Sequence, residues 1–270
     1  MSLKIASWNV NSVRLRMPQV ERFAREAGPD VICLQEIKCL AEQFPAKAFA
    51  EAGYPHQAIC GQKGLHGVAI VSKHPLQQQP VPTFCPRNEA RAQAVEVAGI
   101  ELFNLYIPAG GDEPDTSTNP KFAHKLEYLN RAKDSFDART DKSFAKVVLV
   151  GDLNIAPGEF DVWSHKQMKN VVSHTQIEIN ALAAMQNSFD FVDIARQYQP
   201  EPEPLFTWWS YRSKDWTQNN RGRRLDHIWV SKALTPTKYQ PNSDFIAHTA
   251  CRSWERPSDH APITLELNLV

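Results

Sequence analysis

Three things are scarce in this chain: informatively spaced cysteine, net charge and long apolar runs. The five cysteines, Cys33, Cys39, Cys60, Cys85 and Cys251, are odd in number, widely spread and contain no Cys-x-x-Cys. They argue against a disulfide framework and against a structural zinc site. Cys33, inside Val31-Ile32-Cys33-Leu34, reads as a small buried hydrophobe. The 30 Lys and Arg balance the 30 Asp and Glu. No overall field therefore draws in an acidic polymer, and nucleic-acid binding would have to rest on a local basic face. No apolar run reaches membrane-spanning length, and the first residues read as a strand rather than a signal peptide, so a reducing cytosol is the expected compartment. Gly-x-x-x-x-Gly-Lys-Ser/Thr is absent, which argues against a triphosphate cradle, and so is Gly-x-Ser-x-Gly, which argues against an α/β-hydrolase serine.

What is present is an ordinary apolar share, 42%, with 22% charged residues over 270 positions, read as one domain spanning 1–270. β-branched and apolar runs predict strands over 3–8, 30–35, 67–71, 92–97, 100–107, 147–150, 226–230 and 261–267, with 92–97 and 100–107 forming a hairpin. Residues 18–27 place Val20, Phe23, Ala24 and Ala27 on one helical face behind Pro18, so 3–35 reads as a β-α-β unit. Helices are also expected over 121–136 and 177–190, and a loop over 109–120. Strands throughout, with few helices between them, fit an α/β fold: two packed sheets with helices outside and a shared cleft at the strand ends.

Polar residues collect at those strand ends. Val147-Val148-Leu149-Val150 runs into Gly151-Asp152-Leu153-Asn154. If the strand continues, Asp152 and Asn154 project to one side at its carboxyl end, where open α/β sheets bind ligands. Four other strand ends repeat the theme: Trp8-Asn9-Val10-Asn11, Leu34-Gln35-Glu36-Ile37-Lys38, Arg224-Leu225-Asp226-His227 and Ser258-Asp259-His260-Ala261-Pro262. Singly each has an ordinary explanation: a turn-capping Asn9, a solvated Glu36, a strand-capping Asp226, a satisfied surface His260. Five at the same kind of location point to one site. Carboxylates and amides without Cys suit a hard cation, Mg2+ or Mn2+, that shares its shell with phosphate. A carboxylate beside a His and an amide is the set needed to hydrolyse a phosphodiester, by activating water, neutralising the phosphate and stabilising the pentacoordinate charge.

A second segment bears on the substrate. Phe206-Thr207-Trp208-Trp209-Ser210-Tyr211-Arg212 is followed by Lys214, Trp216, Arg221, Arg223 and Arg224. Aromatics interleaved with cations can stack on bases or sugars and contact phosphates; the same segment also fits a Trp-rich core strand followed by a solvated basic loop. Arg14, Arg16, Lys63, His66, Lys121 and Lys125 lie in other loops and would make a basic groove if they share the cleft's face.

Taken in order, these motifs, with Gly61-Gln62-Lys63, Gly67-Val68-Ala69 and Trp208, resemble the exonuclease III family, the class II apurinic/apyrimidinic endonucleases of base-excision repair within the endonuclease/exonuclease/phosphatase superfamily. The match runs from residue 3 to about residue 267. The resemblance implies a four-layered α/β sandwich of two packed mixed sheets flanked by helices. It implies Mg2+-dependent cleavage 5′ to abasic sites, with 3′-to-5′ exonuclease and 3′-end-trimming activity, by a monomer acting on duplex DNA. Carried over by motif, Glu36 is the principal metal ligand with Asn9 beside it, and Asp259 sits at or just behind the metal. Asp152 positions and deprotonates water, and Asn154 holds that water or the scissile phosphate. His260, oriented by Asp226, stabilises charge on a phosphate oxygen, and Tyr106 contacts the phosphate. Trp208 and Leu225 wall the pocket for a flipped abasic sugar, with Trp209, Arg14, Lys63, Arg212, Arg221 and Arg223 as further substrate contacts.

The chain departs from the family pattern at Ala109, where an Asn or Gln is usual, and over 163–175, a variable region near the DNA. Two other readings remain: an exonuclease-specialised member with weak abasic-site activity, and a superfamily phosphodiesterase acting on a non-DNA phosphate ester such as a sphingomyelin or inositol phosphate. A non-catalytic DNA-binding member would not need the full set of catalytic residues found here.

Overall fold

A computed structural model describes residues 2–212, 215–236 and 244–269; Lys214 lies outside them. One six-stranded sheet contains β1 (Ser2–Asn9), β2 (Val31–Gln35), β3 (His56–Cys60), β4 (Val68–Ser72), β13 (Phe245–Ala247) and β14 (Ile263–Asn268), in the order β13-β14-β1-β2-β4-β3. The other contains β5 (Gln77–Gln79), β6 (Ala92–Val97), β7 (Ile100–Tyr106), β8 (Val147–Asp152), β9 (Val192–Asp193) and β12 (Asp226–Val230), in the order β5-β6-β7-β8-β12-β9. A short ribbon pairs β10 (Trp208–Trp209) with β11 (Gly222–Arg223). Both large sheets are mixed: β1 runs parallel to β2 and β7 parallel to β8, and their other pairings are antiparallel.

The period-2 rule sorts each central strand between two apolar layers. Leu3 and Ile5 of β1, with Val148 and Val150 of β8, face the layer between the sheets. Ala6 and Trp8 of β1 face outward onto α1 (Met17–Ala27), where Phe23 meets Trp8 edge-on at 5.5 Å. Val147 and Leu149 of β8 face outward onto α3 (Pro120–Asp137) and α5 (Gln176–Ser188). The result is helix, sheet, sheet, helix: the four-layered sandwich expected from the sequence. The remaining helices are short: α2 (Ala46–Glu51), α4 (His165–Met168), α6 (Ile194–Tyr198) and α7 (Trp216–Asn219). Among the described residues, no helix is long and apolar enough to cross a membrane.

The β-α-β unit and the hairpin are as read. Ala98 and Gly99, both at positive φ, make the two-residue hairpin turn. The final strand starts at Ile263 rather than 261. Strands β3, β5, β9, β10, β11 and β13 and helices α2, α4, α6 and α7 were not anticipated; most are short, and β5 is three glutamines.

A polar tie lies between the sheets. Gln35 Nε2 donates to Asn104 Oδ1 at 2.7 Å, and Asn104 Nδ2 donates to the carbonyls of Leu34 and Ala69, both at 3.0 Å. It fixes β2 against β7 just beneath the strand ends that carry the site.

Candidate active site

Sheet register builds the first half of the site. Tyr106 of β7 pairs with Asp152 of β8, and Asp152 pairs with Asp226 of β12, so three side chains from distant segments stand in one row. Asp152 sits there because Gly151 takes φ +145°; a Cβ at that position would lie 1.9 Å from the carbonyl oxygen of Leu105, which leaves glycine as the residue that fits. Asn154 reaches the site differently from the expectation. The strand ends at Asp152 and Asn154 takes φ +54°, a left-handed turn that Asn tolerates. Its backbone N–H then donates to Asp152 Oδ1 at 3.0 Å, and its Nδ2 donates to the Ile107 carbonyl at 2.9 Å and to Asp152 Oδ2 at 3.1 Å. The two side chains meet through a turn, not through continued extension.

The other half comes from β1 and β2. Asn9 and Gln35 pair at the ends of the two parallel strands, and the chain then kinks at Glu36, φ +52°. Asn9 Nδ2 donates to both Glu36 Oε1 (3.0 Å) and Asp152 Oδ2 (2.8 Å), joining the two sheets' carboxylates. The Tyr106 hydroxyl donates to Glu36 Oε1 at 2.7 Å, and Lys38 Nζ lies 2.8 Å from Glu36 Oε2. Burial opposes ionisation of Glu36, but the Lys38 charge and the donors Lys38, Asn9 and Tyr106 outweigh it and lower its pKa. Burial first, then the Glu36 and Asp152 charges, raise the Tyr106 pKa, so its hydroxyl stays a donor.

His260 completes the constellation. Its Nδ1 lies 2.8 Å from Asp226 Oδ2 and its Nε2 lies 3.7 Å from Asp152 Oδ2. Burial works against the imidazolium, yet Asp226 and then Asp152 hold its pKa up to about 10. Burial is the main cause pushing Asp152 up to about 7, opposed by the His260 charge and reinforced by Asp226. The row therefore presents an imidazolium braced by one carboxylate beside a second carboxylate that can take a proton near neutrality.

The remaining expected residues divide. Asp259 accepts from Asn11 Nδ2 and from Trp208 Nε1, each at 3.0 Å, so it holds the aromatic wall as much as it faces any cation. Trp208 and Leu225 come together in one apolar cluster with Val162, Met168 and Val171, and Arg223 stacks over the Trp208 ring at 5.1 Å. Trp209 is turned away from that cluster: it is buried against Phe206 and Trp216 and donates to Asn220 Oδ1. Arg14, Lys63, Arg212 and Arg221 are exposed in the loops, and Arg221 lies over Trp163 at 4.5 Å. Three cations placed with the groove by sequence are buried supports: Arg16, which donates to the Asn11 carbonyl and the Tyr211 hydroxyl, Arg224 and Lys125. Arg224 forks onto Asp161 (2.8 and 2.9 Å) and reaches Asp193 (2.7 Å). Lys125 pairs with Glu178 at 2.5 Å and donates to the carbonyls of Asn154 (2.8 Å) and Ala109 (3.2 Å). Sequence reasoning did not single out Lys38, Asn11 or Tyr211. Lys38 sits two residues beyond Glu36 in the quoted motif; Tyr211 lies in the quoted aromatic segment but was given no role of its own, and its hydroxyl accepts from Arg16 at 2.8 Å.

Residues 6–260 match the model of the Endonuclease/Exonuclease/phosphatase family, and the chain belongs to that family. It is 32% identical to exodeoxyribonuclease III of Haemophilus influenzae over 98% of this chain and 99% of that protein. It is 29% identical to the DNA repair nuclease APEX1 of Danio rerio, covering 98% of this chain and 82% of the relative. Among solved structures, an AP endonuclease from Archaeoglobus fulgidus superposes with a TM-score of 0.90 at 32% identity, covering 99% of this chain and 100% of that one. The 3′-5′ exonuclease NExo from Neisseria meningitidis gives 0.89 at 32% identity with the same coverage. The 3′ phosphatase NExo bound to a product DNA hairpin gives 0.86 at 32% identity, covering 99% of this chain and 100% of that one.

Proposed function

We propose that this protein is a metal-dependent DNA-repair nuclease of a single domain, cleaving 5′ to abasic sites in duplex DNA and trimming 3′ ends as a 3′-to-5′ exonuclease and phosphatase. The observation that carries the reading is the row Tyr106, Asp152, Asp226 with His260 braced between the two aspartates. Exodeoxyribonuclease III, APEX1 and the AP endonuclease are named for nuclease or abasic-site work, and NExo for 3′ exonuclease and phosphatase work, which supports the same chemistry here.

The donor set fits a hard cation. Glu36 and Asp152 offer oxygens bridged by a single amide of Asn9, and Lys38 already rests its ammonium against Glu36. Glu36 and Asn9 would hold Mg2+, or Mn2+, with Asp259 behind. When bound, the ion neutralises phosphate charge and the developing leaving-group oxyanion. Asp152 takes the proton of the attacking water. The His260 imidazolium, kept charged by Asp226, donates to a phosphate oxygen as charge accumulates in the pentacoordinate transition state. Asn154 positions water or phosphate from its place on Asp152, and Tyr106 hydrogen-bonds at the Glu36 end. Trp208 and Leu225 provide an apolar wall for a base-free sugar, excluding an intact base. Arg14, Lys63, Arg212, Arg221 and Arg223 contact backbone phosphates. The protein is expected to act as a monomer in the cytoplasm.

The deciding experiment is incubation with a duplex carrying one abasic analogue, with Mg2+ or with EDTA. Mg2+-dependent incision 5′ to the lesion is expected. Its absence, with 3′ ends of undamaged DNA still digested, would leave an exonuclease-specialised enzyme; inertness to both substrates would point to a non-DNA phosphate ester.

A further inference from the structure

A second group of side chains of metal-ligating type stands outside the catalytic row. Cys85 and Glu89 lie four residues apart in the turn before β6, closed by the Asn88 N–H on the Cys85 carbonyl at 3.1 Å. His124 faces them from the second turn of α3. Cys85 Sγ lies 3.3 Å from His124 Nε2 and 4.0 Å from Glu89 Oε2, and all three ligand atoms lie within 4.8 Å of one another. Tetrahedral zinc bound to S, N and O needs ligand-to-ligand spacings of about 3.3–3.6 Å; Cys85 and His124 already stand at that spacing, and the Glu89 carboxylate, on a flexible side chain, has to swing in from 4.0 Å to join them.

We propose that Cys85, Glu89 and His124 form a second cation site, built for zinc or a similarly thiophilic divalent ion and separate from the oxygen-lined catalytic site. Thiolate and imidazole select a softer metal than the carboxylates and amides around Glu36 do. One thiolate and one carboxylate match the ion's two charges, with Glu89 giving up its pairing with Arg91 to do so. Binding converts the Cys85 thiol to a thiolate and releases its proton to solvent. Cys85 and His124 are buried, and Glu89, whose side chain is 18% exposed, marks the side from which an ion would enter; water would supply the fourth ligand. The pattern escapes any reading of cysteine spacing because Cys85 and His124 are 39 positions apart.

The site connects to the catalytic row through Arg91. That guanidinium holds Glu89 Oε2 at 2.5 Å, lies over the Tyr106 ring at 4.6 Å and donates to the Tyr106 carbonyl at 3.3 Å. Tyr106 in turn donates to Glu36. An ion that draws Glu89 away from Arg91 removes the carboxylate partner of the cation stacked on Tyr106. Zinc occupancy therefore slows turnover at a fixed, saturating Mg2+ concentration.

The test is cobalt substitution in full-length protein kept reduced with a phosphine and saturated with Mg2+. One equivalent of Co2+ is expected to give a thiolate-to-cobalt charge-transfer band and intense tetrahedral d–d absorption, both displaced by Zn2+. Both signals are lost in Cys85→Ser and in His124→Gln and retained in Cys60→Ser. Glu89→Gln serves in place of either if one fails to fold. Zinc inhibition at saturating Mg2+ disappears in Cys85→Ser and His124→Gln, whose Mg2+-dependent cleavage without zinc is retained; Glu89→Gln is read by the spectrum alone. No thiolate band in the unsubstituted protein, or a band that survives Cys85→Ser, overturns the site. Because the spectrum is read without DNA, failure of the proposed nuclease activity would leave this result standing, and the reverse.

Discussion

Asp152 and Asp226 stand opposite each other across the β8–β12 ladder, and one imidazole stands between them. His260 presents Nδ1 to Asp226 at 2.8 Å and Nε2 toward Asp152 at 3.7 Å. The close contact fixes ring orientation and charge, and the longer one leaves Asp152 free to act on a substrate. In the proposed mechanism two carboxylates of the same chemical type take different tasks from a difference of about an ångström in their distance to one ring.

Removing the brace should separate those tasks. In Asp226→Asn, His260 loses the carboxylate that does most to hold its pKa near 10, and the alkaline limb of kcat/KM at saturating Mg2+ should fall by about 1–3 pH units. The stability contribution has a definite sign. The folded pKa lies above the ordinary 6.5, so the ion pair's contribution is complete below that pH and is lost as pH rises through about 10. The melting-temperature gap between wild type and Asp226→Asn should accordingly be widest near neutral pH and close above pH 10. An alkaline limb that does not move would reject the bracing role.

Asp152→Asn should lower kcat by about 10²–10⁴-fold, the usual worth of a general base, while a gel shift on abasic duplex stays near wild type. A large loss of affinity would instead make Asp152 a binding residue. The same variant should be the more stable protein in EDTA at pH 8. Burial raises the folded Asp152 pKa from 3.8 to about 7, so its ionisation costs folded-state stability above that pH. The advantage of Asn should shrink as pH falls through that range, as followed by thermal melts at successive pH values.

Salt dependence should sort the basic residues. Arg14, Lys63, Arg212 and Arg221 are exposed, and each Ala variant should reduce the slope of log K for DNA against log salt by about one while leaving stability unchanged. Arg224→Met should do the opposite. It leaves buried Asp161 with only Arg196 as a cation at 2.5 Å, costing about 3–5 kcal/mol in urea unfolding, with no change in salt slope.

The contrast between these arginines marks where sequence reading stops. Arg221, Arg223 and Arg224 look alike in one basic stretch, but Arg224 is claimed by Asp161, 63 positions away, a pairing with no local signature. The central strands were legible because β1, β2 and β8 alternate apolar residues between two covered faces. His56–Cys60 and Gln77–Gln79 were not, since their polar residues lie at the outer part of a sheet and mimic loop composition. In the site, residue types at strand ends revealed Glu36, Asp152, Asp226 and His260. The backbone turns that aim Glu36 and Asn154 at their partners were invisible, because both residues are unremarkable at positive φ until the chain is folded.

Lys125 is the position where this hidden support meets the proposed catalytic turn. Its ammonium, fully buried, pairs with Glu178 and holds the carbonyls of Asn154 and Ala109. Lys125→Met should cost about 3–5 kcal/mol, because Glu178 is left charged and buried without its cation. Glu178 Oε2 also accepts from the Ser173 N–H and the Thr175 hydroxyl, so Lys125→Met/Glu178→Gln, with its one amide oxygen at that position, keeps this acceptor, removes the stranded charge and should recover most of the stability. Activity should not recover with it. Without the ammonium, nothing equivalent fixes the Asn154 carbonyl, and Asn154 can leave the turn that sets its amide on Asp152. Steady-state kinetics on an abasic duplex should therefore show the stabilised double variant with depressed kcat and a KM near wild type. Full recovery of kcat alongside stability would confine Lys125 to a structural role.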